Sequence, residues 1–281
     1  MLIIVFYICV FSTGLSFGSF LNCLIYRLAS HQSVWGRSYC PKCQSQIAWY
    51  DNIPLISFII LRGRCRSCHE KISWQYPMVE LAAGLLFFWS VWRLNNQLAI
   101  ITYQLFSPTA GQYLRFVLAI FRDWLIFFTL LFVFVYDFRY SRIEDVVLLP
   151  ATGLVFILNL TTPQLLSFLN GDFIVDQIRQ MAIGIVIAVG FFALQYFATR
   201  GKGIGLGDLR IGLFMGAALA SWPLVIVALF SSYVIGGLVS LILVLLGRKK
   251  IKSQIPLGPF LATGMVIAFI YGVQMIAWYL R

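Results

Sequence analysis

The chain is predicted to be an all-α polytopic membrane protein of about eight transmembrane helices, with one small polar module inserted after the first of them. Three observations predict this. Of 281 residues, 60% are hydrophobic and 11% charged, whereas about a quarter of the residues in a soluble domain are charged. The apolar residues fall in long runs, several reaching the roughly 20 residues that a hydrocarbon core demands. The longest polar stretch carries two Cys-x-x-Cys pairs, Cys40-Pro41-Lys42-Cys43 and Cys65-Arg66-Ser67-Cys68.

Each short knuckle offers two thiolates, and the chain between them can fold back, so Cys40, Cys43, Cys65 and Cys68 can close a tetrahedral Zn²⁺ site. Two disulfides are the competing reading. Four thiolates leave no coordination position for water, so such a zinc is structural and not catalytic. His31 and His69 are then surface or neighbouring groups, because the tetrahedron is already complete. Segment 22–76 holds Arg27, Arg37, Lys42, Arg62, Arg64, Arg66 and Lys71 against Asp51 and Glu70. That excess assigns it to the cytoplasm, where thiols stay reduced. At about 55 residues the module cannot bury a large core, so metal is expected to supply much of its folding free energy. The net charge of +11 is explained by such loops. No basic face interleaved with exposed aromatics is evident, which argues against nucleic acid as a partner.

In chain order, 1–21 is the first span, with only Ser, Thr and Gly as polar relief. It lacks the basic start and small-residue cleavage pattern of a signal peptide and is expected to be retained. Pro77 to Trp92 forms a second span with Glu80 near its cytoplasmic end. A carboxylate there is a functional candidate by default, snorkelling to the interface being the alternative. Residues 94–116, with Ser107-Pro108, are expected to form an irregular outer loop. The third span ends at Val135-Tyr136-Asp137 and contains Arg122-Asp123, a mutually neutralising pair. Phe138 to Glu144 carries Arg139 and Arg142 and is cytoplasmic, and Asp145 is placed to N-cap a fourth span to Leu160. After an outer loop with Asp172 and Asp176, the fifth span covers Met181 to Ala198. Residues 211–246 make two spans, the first short, broken at Trp222-Pro223. Arg248-Lys249-Lys250-x-Lys252 returns the chain to the cytoplasm before a last span from Leu257 to Tyr279. With both termini outside, cytoplasmic segments hold 15 of the 21 basic residues, as the positive-inside rule requires.

This topology brings two aspartates to the cytoplasmic membrane boundary: Asp137 closes the third span and Asp208 opens the sixth. Asp208 ends Gly201-Lys202-Gly203-Ile204-Gly205-Leu206-Gly207, whose alternating glycines exclude a stable helix and allow close backbone approach. Taken singly, an Asp at a span end is more often a cap or a solvated group. Facing one another, two carboxylates share a proton and can activate water, one as base and one as acid. The dipoles of their own helices favour the charge on Asp208, at an amino end, over Asp137, at a carboxyl end.

Tyr136-Asp137 and Gly205-Leu206-Gly207-Asp208 resemble the YD and GxGD motifs of intramembrane aspartyl proteases. Gly18-Ser19-Phe20-Leu21-Asn22 with Arg27, the two Cys-x-x-Cys pairs, Asn52-Ile53-Pro54, Tyr76-Pro77-x-Val79-Glu80, Asp145, Leu149-Pro150 and Pro256-x-Gly258-Pro259-Phe260 are similar, in order, to one branch only, the type IV prepilin peptidases. The resemblance covers essentially the full length. It implies an enzyme of the bacterial inner membrane that removes a short basic leader from type IV prepilins or pseudopilins after a glycine. The new N-terminus is then methylated from S-adenosylmethionine. Carried over residue by residue, it puts catalysis on Asp137 and Asp208 and zinc on the four cysteines. Asn22, Arg27 and Glu80 fall on the methyl-donor or amine side. The implied division is 1–21 first span, 22–76 zinc module associated with methylation, and 77–281 peptidase spans. The chain departs from the family pattern at Ile143-Glu144-Asp145, where Leu-Pro-Asp is usual, and at Arg210, where Lys is usual. No Gly-rich nucleotide-binding pattern is present for the methyl donor. A peptidase without methylation remains open, as does a zinc-bearing membrane scaffold or transporter, although the latter leaves both aspartates and the glycine loop unexplained.

Overall fold

The computed structural model describes residues 2–104, 110–162, 173–201, 203–248 and 255–281. Among them the chain is helical, with no strand beyond two isolated bridges, Tyr39 to Gln46 and Arg64 to Lys71. It divides into two compact units, Met1–Pro108 and Thr109–Arg281.

The first unit is built on α1 (Leu2–Ala29) and α3 (Gln75–Gln104), which pack together. Between them lie the two cysteine knuckles, a single 3-10 turn (Trp49–Asn52) and the short α2 (Ile56–Ile60). In the second unit α4 (Ala110–Tyr140), α5 (Asp145–Thr161), α6 (Phe173–Thr199), α7 (Leu206–Leu219), α8 (Trp222–Leu245) and α9 (Gly258–Tyr279) pack on one another. Six helices, α1, α3, α4, α6, α8 and α9, contain stretches long and apolar enough to cross a membrane. With α5 and α7 these are the eight expected helices, the last two being 17 and 14 residues long.

The side chains are distributed as a bilayer demands. α8 buries Ala228, Ser231, Ser232 and Gly236 while exposing Phe230, Leu238 and Leu245. Small residues let helices approach one another, and large apolar ones face lipid.

At about 21 Å, α7 is too short to cross some 30 Å of hydrocarbon, so its last carbonyls must be satisfied inside the protein. The Asn159 amide donates to the Ala217 carbonyl at 2.8 Å, and the Gln177 amide to the Ala220 carbonyl at 3.4 Å. The guanidinium of Arg122 reaches Asn159 and Thr162 while pairing with fully buried Asp123 at 2.8 Å. The expected neutralising pair is therefore also part of a cluster that finishes α7.

Several boundaries move from those expected. α1 continues past Leu21 to Ala29. Helix also replaces much of the outer loop expected over 94–116, since α3 runs to Gln104 and α4 starts at Ala110; Ser107-Pro108 lies outside the described residues. Asp176 sits in the first turn of α6, while Asp172, Lys202, Lys249, Lys250 and Lys252 fall outside the described residues. Hydropathy marks where a chain leaves lipid, whereas a helix ends only where its backbone bonding does. Asp145 does not cap α5: it is the first helical residue, after Glu144, and its carboxylate is held by Arg210 instead, at 2.5 Å.

Candidate active site and metal centre

Asp137 lies in the last turn of α4, buried, and its Oδ2 accepts the backbone N–H of Gly258 at 2.8 Å. Gly258 opens α9, followed by Pro259, which needs no N–H there. A β-carbon on Gly258 would stand 2.6 Å from Asp137 Oδ2, so only glycine lets this amide reach the carboxylate. Asp208 sits in the first turn of α7, and its Oδ2 accepts the N–H of Gly205 at 3.0 Å. The Asp208 N–H returns a bond to the Gly205 carbonyl at 3.2 Å, so the glycine loop and the start of α7 lock reciprocally.

The loop between α4 and α5 joins these elements. Ile143 packs so closely on Gly207 that a β-carbon there would lie 2.7 Å from its Cδ1. Tyr136 donates its hydroxyl to Glu144 at 2.7 Å, and Arg210 pairs with Asp145. Arg210, where the sequence departs from the family pattern, thus pairs with Asp145, the one residue of Ile143-Glu144-Asp145 that keeps to it. Asp208 is near enough for its charge to act on Asp137. Among the described residues each of the two carboxylates has a single hydrogen-bond partner, a backbone N–H, leaving lone pairs for a shared proton or a water.

Because α9 presents its N-terminus to Asp137, both aspartates meet the positive end of a helix. The expected preference for charge on Asp208, drawn only from each residue's own helix, loses its basis. The signal for Gly258 was present in Pro256-x-Gly258-Pro259, but nothing in the sequence paired that segment with Asp137, 121 residues away.

In the first unit the sulfurs of Cys40, Cys43, Cys65 and Cys68 all lie within 4.8 Å of one another, and neither histidine joins them. Cys40 and Cys68 are 3.9 Å apart, close to the roughly 3.8 Å edge of a tetrahedron with 2.3 Å metal–sulfur bonds and far from a disulfide at about 2.05 Å. All four cysteines are free. Against the Glu70 amide, burial and the neighbouring thiols push the Cys68 thiol up to about 12, while hydrogen bonds favour thiolate at two others: the Ser45 hydroxyl, with the Ser45 amide, holds the Cys43 thiol down at about 6. The backbone amides of Cys68 and Ser67 lower that of Cys65. The cluster can hold a metal ion and is compatible with zinc.

Asn22, Arg27 and Glu80 are buried around the same module. The Asn22 amide donates to the Tyr76 carbonyl, joining α1 to the start of α3. Arg27 donates to the carbonyls of Ser33, Val34, Gly36 and Arg37 at 2.6 to 3.4 Å and so folds that loop around its guanidinium. Glu80 Oε2 accepts the N–H of Leu55 at 2.8 Å. Leu55 has φ 59° and ψ −49°, and Ile56 N–H reaches the Pro54 carbonyl, a positive-φ γ-turn that is strained for a side-chain-bearing residue. Nothing in the sequence announced this turn; Glu80 holds it.

Residues 12–94 match the bacterial peptidase A24 N-terminal domain, and residues 124–241 match the type IV leader peptidase family. The prepilin leader peptidase/N-methyltransferase of Aeromonas hydrophila is 31% identical over 96% of this chain and 92% of the relative. The protein of that name from Stutzerimonas stutzeri is 28% identical over 98% of this chain and 94% of the relative, and that from Bacillus subtilis 28% over 96% of each. No solved structure matches the chain.

Proposed function

The chain belongs to the prepilin leader peptidase/N-methyltransferase family, and on that premise we propose that it hydrolyses the leader of a prepilin or pseudopilin between Asp137 and Asp208 and then methylates the new amine. The observation that carries the peptidase reading is the pair of neighbouring carboxylates, each tied by one backbone N–H. With one proton shared, the ionised carboxylate takes a proton from water as its oxygen attacks the scissile carbonyl carbon, and the protonated one donates to the carbonyl oxygen. Collapse of the tetrahedral intermediate breaks the C–N bond and returns a proton to the leaving amine. The leader departs with a new carboxylate. Gly258 and Gly205 hold the carboxylates in register.

S-Adenosylmethionine would supply an electrophilic methyl group to that amine. We assign its neighbourhood to the first unit, in which 22–76 is the metal module and 1–21 the preceding helical segment, with the peptidase in the spans of 77–281. Glu80, with one oxygen held by Leu55, is the buried carboxylate there suited to an amine, and Asn22 and Arg27 shape the backbone around it. Zn²⁺ on the four cysteines would be structural. The basic segments 22–76, 138–146, 199–208 and 247–256 support a cytoplasmic location for the module and the dyad.

The test is mass spectrometry of a prepilin incubated with purified enzyme and methyl donor. Wild type should give cleaved, methylated product, and Asp137→Asn and Asp208→Asn should each lower cleavage by about 10⁴-fold while still methylating pre-cleaved pilin. Cleavage by either variant at the wild-type rate would exclude the dyad. Cleavage without methylation by wild type would leave a peptidase alone.

A further inference from the structure

α2, the second knuckle and the start of α3 enclose an open groove of about 740 Å³ in the first unit. Its apolar wall includes Phe58, Ile59, Trp74 and Met78, and its charged lining is Arg62, Arg64 and Lys71 with no acidic side chain. Ile59 is 72% exposed and Trp74 71%, a degree of exposure that large apolar side chains clustered together show at interaction surfaces. Arg64 and Lys71 stand directly opposite each other across an antiparallel bridge, where like charges repel. Among the described residues none of the three cations has an ion-pair partner. An anion between them would relieve that repulsion.

The groove runs onto the start of a helix apolar enough to span a membrane. Pro77, Met78 and Leu81 line it and belong to the first turns of the stretch Gln75–Asn95, which is long and apolar enough to span. Trp74 stands just before that entry, the position where Trp marks a membrane interface. We propose that this groove binds an anionic phospholipid, its acyl chain along Phe58, Ile59, Trp74 and Met78 and its phosphate between Arg62, Arg64 and Lys71. The lipid docks the metal module on the leaflet that α3 enters. A peptide substrate fits the groove less well, because the basic leader expected of it would meet three cations. This assignment is independent of the catalytic reading.

The experiment is amide hydrogen exchange of the full-length, metal-loaded protein in nanodiscs of phosphatidylcholine alone or mixed with phosphatidylglycerol. Residues 56–64 and 71–74 should exchange about a hundredfold more slowly in the anionic discs, the effect of three basic side chains near an anionic surface. R62E/R64E/K71E should abolish the difference while leaving metal content and the exchange of residues 33–37 unchanged. If that variant loses its metal, R62Q/R64Q/K71Q replaces it, with the same expectation. Equal exchange in the two lipids overturns the proposal, as does slowing that occurs only when a prepilin peptide is added.

Discussion

The two units treat charge in opposite ways. In the first, Arg27 is surrounded by four backbone carbonyls, and Asp51 takes both arms of Arg66 at 2.6 and 2.7 Å. Charge there is used to hold irregular backbone. In the second, Asp137 and Asp208 have one N–H each, and glycine is required at 258, where a β-carbon would stand 2.6 Å from the Asp137 carboxylate. The second unit also contains its own control: Arg122 and Asp123 are buried like Asp137 but amply bonded, and lie roughly 21 Å along α4 from it. Burial alone therefore does not mark a reactive carboxylate. Unused lone pairs beside a second carboxylate do, with Asp137 buried and Asp208 half-buried.

That contrast can be broken most severely at Gly258. Gly258→Ala forces a β-carbon against Asp137, and a misplacement of about 1 Å lowers turnover by roughly 100-fold. Prepilin cleavage should fall by that factor while methylation of pre-cleaved pilin holds. Loss of both activities would show that the units do not divide the chemistry. In the first unit the corresponding change is Arg27→Met, which leaves four carbonyls without their donor and should destabilise the 33–37 loop by about 3 kcal/mol. Its signature is faster amide exchange there and no change in the cleavage rate at saturating substrate. A smaller effect concerns the metal. The Cys43 thiol sits near 6 against an ordinary 9.0. The folded knuckle's preference for thiolate is complete above about pH 9 and gone once the pH falls below about 6. Metal content, followed by atomic absorption after dialysis, should hold at neutral pH and drop below about pH 6. Release beginning near pH 8 would contradict the hydrogen bonds assigned to Ser45.

Much of this was legible before the fold was seen, for identifiable reasons. Apolar runs and cysteine spacing report local chemistry, so the helices and the four-cysteine cluster emerged from them. Asp137 and Asp208 stand out in the sequence because the expected topology puts both on one membrane face and a glycine loop leads into Asp208. Contacts made by backbone atoms were not. Nothing in residues 256–260 says that the Gly258 amide points at Asp137, or that Leu55 makes a strained turn under Glu80, because a peptide N–H carries no signature in the sequence. Arg210 and Asp145 were both noticed as individual residues, and only the packing of α5 on α7 made them a pair.

The central claim, that Asp137 and Asp208 act as one unit on one water, is tested most directly by a double-mutant cycle. Cleavage rates of Asp137→Asn, Asp208→Asn and the double variant would be measured on the same prepilin with equal protein in the folded, metal-loaded state. If the carboxylates share the proton, either change removes the machinery, and the double variant should be no slower than the slower single one. Losses that multiply, with the double variant slower by the product of the two single effects, would show that the aspartates act independently and contradict the dyad.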